Sequence, residues 1–236
     1  MWSYDAVAQI AADALAGRAR QLDAEQAVRG LDSLTELEFH SILADAFAHA
    51  GFGVHQEQPY PTPPRRLPRH SERERCDLAL THHPGIIADA VTREREHAAL
   101  EGTLFAHAAP AEPPGIPPTD ALWLEVKVIA QHGLSAGVLA PNKTYASELL
   151  RGPIADAAKL ARDPLILHAA VLVVLFTADA QTADHDLGVL AHRMLDRDLP
   201  IATPIRIRLP VSDLLGNAAC TLALVPVRGE GLSPAG

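Results

Sequence analysis

The 236-residue chain is 48% apolar and 21% charged, which excludes an intrinsically disordered protein and leaves length for one large domain or two small ones. A formal net charge of −9 excludes a protein that coats itself in nucleic acid without selectivity, although a local basic groove remains compatible with it. Two cysteines exclude a disulfide framework and a thiolate metal site.

Residues 1–32 predict a helical extension, alanine-rich over 5–29 with Gly17 and Gly30 as its stops. Met1 to Gly17 lacks the basic start and apolar run of a signal peptide. The longest apolar run, Leu165 to Ala178, is too short to span a bilayer, so no membrane partner is expected and the expected location is the cytoplasm. A second helix over 34–49 should end at Gly51, and Ser33-x-x-Glu36 at its start has the form of a capping box. On that helix Glu36 shares the apolar stripe of Phe39, Leu43 and Phe47, whereas Glu38 falls on the polar side with Ser41, Asp45 and His49.

A short strand over 53–58 leads into a proline-rich loop with arginines at Arg65, Arg66, Arg69, Arg73 and Arg75. That cluster is either a nucleic-acid contact or a solvated turn. Residues 75–81 predict a strand. Residues 82–119 read as a long interruption, with one helix over 87–101 and a proline-rich connector, "APAEPPGIPPT". Strands at 121–129 and 169–176, helices at 145–161 and 183–195, and strands near 201–209 and 220–227 complete an α/β fold, a central mixed β-sheet flanked by helices.

The segment 121–129, "ALWLEVKVI", is apolar except for one acid and one base two positions apart. In a strand, Glu125 and Lys127 then project with Trp123 and Ile129, while Leu122, Leu124, Val126 and Val128 pack the other face. A same-face ion pair is one account of the two charges. Lysine usage adds another: the chain has 17 arginines but only three lysines, Lys127, Lys143 and Lys159. A compact ammonium can approach a water or an oxyanion where the planar guanidinium cannot replace it. Asp77 opens the preceding strand, and two carboxylates converging from adjacent strands suit a hard divalent cation, Mg2+ or Mn2+. Against a phosphodiester, such an ion polarises the phosphoryl oxygen and activates a water.

An acid at a strand start ("CD", 76–77), a long connector and Glu-x-Lys in an apolar strand ("EVK", 125–127) resemble the PD-(D/E)xK nuclease superfamily, which has the restriction-endonuclease-like fold. Cys76 stands where that pattern often has proline. The later "YASELLRGPIADAAKL" and "AAVLVVLF" are similar to the helix and strand that complete its core, so the resemblance covers about residues 33–178. It implies a nuclease-like domain over 33–236 with 82–119 as an insertion. It implies metal-dependent hydrolysis of phosphodiester bonds in DNA, in a host-defence or DNA-processing system. Asp77, Glu125 and the Val126 carbonyl would hold Mg2+ or Mn2+, joined by Glu36, the acid that this family carries on the helix before its first core strand. Lys127 would position the attacking water and stabilise charge on the phosphate. Arg65, Arg66, Arg69, Lys143 and Lys159 would face the nucleic acid.

The chain has only ten aromatics (two Trp, three Tyr, five Phe) and no separate reading module, so a second copy or a partner protein is expected to supply selectivity. Two other readings use parts of the same sequence. The fold could serve as a catalytically silent interaction module in a larger assembly. Gly133-Leu134-Ser135-Ala136-Gly137 matches the nucleophile elbow of a serine hydrolase, with His185 or His192 as base, provided the segment runs from a strand into a helix. The twelve histidines lack metal-ligand spacing and read mostly as surface residues, with His132 the one placed near Lys127.

Overall fold

Ser3 opens the first helix, α1 (Tyr4–Ala24), its hydroxyl accepting the Ala6 amide at 3.3 Å. Gly17 does not stop this helix. The roughly 1 kcal/mol that a mid-helix glycine costs relative to alanine is outweighed by a buried row that includes Val7, Ala11, Leu15 and Leu22. The structure is a computed structural model that describes residues 1–27, 29–62, 74–89, 115–135 and 137–228. Arg65, Arg66 and Arg69 lie outside the described residues, as does all but the margins of the expected insertion. Ile87, the expected first residue of a helix there, instead bridges Ile116 and joins the two margins.

The second helix, α2 (Glu36–His49), corrects the expected cap. Thr35, not Ser33, is the N-cap: its hydroxyl accepts the Glu38 amide, and the Glu38 carboxylate accepts the Thr35 N–H at 2.7 Å. Ser33 belongs to a short 3-10 turn and donates to the Gly30 carbonyl. Glu36 is thereby left without a capping duty.

Six strands form one sheet: β1 (Gly53–Pro59), β2 (Arg75–Thr81), β3 (Leu122–Ala130), β6 (His168–Thr177), β7 (Ile205–Leu209) and β8 (Ala219–Arg228). Their order is β1-β2-β3-β6-β8-β7. All neighbours are antiparallel except β3 and β6, which run parallel because helix α3 (Tyr145–Arg162) carries the chain back across the sheet. The last edge strand is shorter than the expected 201–209. Pro200 and Pro204 cannot donate to a ladder, and Ile201 makes only an isolated bridge to Val227.

Between β3 and α3 lies a hairpin, β4 (His132–Ser135) and β5 (Val138–Pro141). Gly133 to Ser135 therefore run along a hairpin strand, and the strand-to-helix turn that a nucleophile elbow requires is not formed there.

Alternation in β3 sorts its side chains as expected. Leu122, Leu124 and Val126 join Phe39, Leu43 and Phe47 of α2, and α1, on one face. Trp123 and Ile129 join Leu149, Ile154 and Leu160 of α3, and helix α4 (Ala180–Leu195), on the other. Each fully buried Leu or Phe contributes about 1.5–3 kcal/mol, so both faces of β3 are held firmly and its polar residues inherit a fixed position. Among the described residues, no helix is long and apolar enough to cross a membrane.

Candidate active site

The β2–β3 ladder pairs Leu78 with Leu124 and continues no further toward Asp77 and Glu125. Side chains take over where it stops. The Asp77 Oδ2 accepts the Val126 N–H at 2.7 Å, and the Cys76 thiol donates to the Leu124 carbonyl at 3.3 Å. The strands thus part at this point while their polar groups stay satisfied, and the opening faces the start of α2.

Glu36 and His40 enter the opening one helical turn apart. The His40 ring is buried, with Nε2 3.9 Å from Glu36 Oε1 and 3.8 Å from Asp77 Oδ2, and that nitrogen makes no hydrogen bond. A buried ring nitrogen that faces two carboxylates at ion-pair distance and makes no hydrogen bond has a lone pair or proton to offer a bound group. One ligand atom each from Glu36, His40 and Asp77 lie within 4.8 Å of one another, the spacing of donors around a single ion. His40 was not legible as a site residue. Its position four residues after Glu36, beside Phe39 on the apolar stripe, was the available signal.

The expected convergence of Asp77 and Glu125 is present, for the two carboxyl groups lie within hydrogen-bonding reach of each other. Glu125 is only 3% exposed and accepts a 2.6 Å hydrogen bond from the Tyr60 hydroxyl, just past β1. Burial pushes its carboxyl up to about 8, against the pull of the Tyr60 bond and with further push from the Asp77 and Asp156 carboxylates. Glu125 lies beside the three converging donors and is not one of them.

Lys127 reaches into the middle of this group. Its ammonium donates to Glu36 Oε1 at 3.0 Å and to the Val126 carbonyl at 2.8 Å, and stands 3.7 Å from Asp77 and 3.6 Å from Asp156. Burial works to lower its pKa, but the Asp77, Asp156 and Glu36 carboxylates prevail and hold it above its ordinary value, so it stays charged. Lys159 donates to Asp156 Oδ1 at 3.1 Å and joins the group from α3. Lys143 is exposed in the turn before α3. The backbone N–H of His132 donates to the Asn217 side chain, and its ring packs beside Gly216.

Glu36, Asp77 and Asp156, with the largely protonated Glu125 beside them, thus meet the Lys127 and Lys159 ammonium groups in a partly dry cleft. The chain matches no protein-family model, no curated protein and no solved structure.

Proposed function

We propose that this protein is a divalent-cation-dependent nuclease that hydrolyses phosphodiester bonds, with DNA as the expected substrate. The observation that carries the reading is the convergence of Glu36, Asp77 and His40, whose imidazole nitrogen makes no hydrogen bond, with Lys127 at the same opening. The element order α2-β1-β2-β3-α3-β6, with an acid on β2 and Glu-x-Lys on β3, supports the resemblance to the restriction-endonuclease-like fold.

Glu36, His40 and Asp77 would hold Mg2+ or Mn2+, with the Val126 carbonyl adjacent. The bound ion supplies a Lewis acid for the phosphoryl oxygen and an activated water. Imidazole is a softer donor than carboxylate, so this set favours Mn2+ over Mg2+. Lys127 keeps its proton among the carboxylates and offers a preorganised N–H to charge developing on the phosphate. Tyr60 fixes the Glu125 carboxyl beside Asp77. Target selection falls to the loops around the site, a second copy or a partner protein, as in a host-defence or DNA-processing system.

The test is cleavage of labelled single-stranded DNA, duplex DNA and RNA with Mn2+ or Mg2+. The parent should cut at least one of them, while Asp77→Asn and Lys127→Ala each lower the rate by about 10²-fold or more. Full activity in both variants would refute the assignment.

A further inference from the structure

An ammonium and a divalent cation compete for the same oxygens. Lys127 now donates to Glu36 Oε1 at 3.0 Å and to the Val126 carbonyl at 2.8 Å, one oxygen that the proposed site would use and one beside it. Its ammonium must give up Glu36 when a cation enters, yet a buried ammonium needs another acceptor nearby.

Asp156 supplies one. It sits on α3, a residue only 5% exposed, and its two carboxylate oxygens are used unequally. Oδ1 accepts from Lys159 at 3.1 Å. Oδ2 makes no hydrogen bond, although Lys127 Nζ stands only 3.6 Å away. Gly152, one turn earlier on the same face of α3, lies against the lysine stem: a Cβ there would meet Lys127 Cδ at 3.5 Å. The stem is thus already aligned along the helix that carries the spare oxygen.

We propose that Asp156 is a positioning residue that receives the Lys127 ammonium when a divalent cation takes Glu36, keeping the lysine charged and at the edge of the site. The inference rests on the metal reading of Glu36, His40 and Asp77. Lys127 then acts as an internal placeholder for the cation, and Asp156 decides how readily it yields.

The test is Mn2+ binding, measured by calorimetry without nucleic acid, in a double-mutant cycle. Lys127→Met removes the competitor and should tighten binding about fivefold to tenfold. Asp156→Asn should weaken binding about tenfold in the parent but by no more than about twofold in the Lys127→Met background. Loss of one negative charge near the ion acts in both backgrounds, so the difference isolates the displacement of the lysine. Equal weakening in both backgrounds, or none in either, overturns the inference while leaving the metal site standing. Absence of Mn2+ binding by the parent overturns both. Should Asp156→Asn fail to fold, 15N-lysine labelling of the parent serves instead, since the chain has three lysines. Adding Mg2+ should move the Lys127 ammonium signal and leave Lys143 unmoved; a stationary Lys127 signal overturns the inference.

Discussion

Glu125 is where burial acts most plainly on chemistry. Its carboxyl titrates near 4.5 in the unfolded chain and near 8 in the fold. The folded state therefore binds the extra proton between those values, and the stability this confers is full below about 4.5 and lost as pH rises through about 8. In EDTA, the urea midpoint of the parent should fall across that window, and Glu125→Gln should flatten the fall. Parent and variant with the same pH slope would show that the carboxyl does not titrate as described. Glu125 and Lys127 were legible in the sequence because charges inside an apolar strand are costly to bury unless each meets a partner or a ligand. His40 was not, because a histidine on an apolar stripe reads identically whether it is a core residue or a ligand. Only the arrival of Asp77 from β2, a contact between distant segments, distinguishes the two.

At the scale of elements, α2 shows how local signals can mislead by two residues. Ser33 and Thr35 each have a glutamate three positions on, so either pair satisfies the pattern of a capping box. The backbone chose Thr35, and that choice frees Glu36 to meet Lys127. Thr35→Ala should cost about 1 kcal/mol and lower Tm by about 2–4 °C without weakening Mn2+ binding. Glu36→Gln should do the reverse, abolishing Mn2+ binding with little loss of Tm. A large Tm loss in Glu36→Gln alone would return the capping role to that residue. The strands β2, β3 and β6 were legible from their apolar runs and flanking turns. The β4–β5 hairpin was not, since two four-residue strands, the first holding Gly133, carry too short an alternation to register.

For the whole molecule, the acidic balance and the acidic cleft both oppose a polyanion, so the proposed nuclease would need a local basic surface for its affinity. The chain leaves for the arginine-rich segment beside the site. Thr62 is tied to Asp163 through its N–H and its hydroxyl, the Tyr60 N–H donates to the Glu74 carbonyl at 3.1 Å, and the Tyr60 hydroxyl holds Glu125. Replacing Arg65, Arg66 and Arg69 together with alanine should weaken DNA binding for all sequences alike and reduce the salt slope by up to about three. Unchanged binding and slope would make that segment a solvated turn.

The most direct measurement of the central claim is a Mn2+ titration of duplex cleavage by the parent and by His40→Gln after exhaustive EDTA treatment. The metal-free parent should be inactive and regain cleavage on adding Mn2+, while His40→Gln should need about 10–100-fold more Mn2+ to reach half its own maximum. Cleavage that persists in EDTA, or a His40→Gln titration that overlays the parent, would contradict a metal centre built on Glu36, His40 and Asp77.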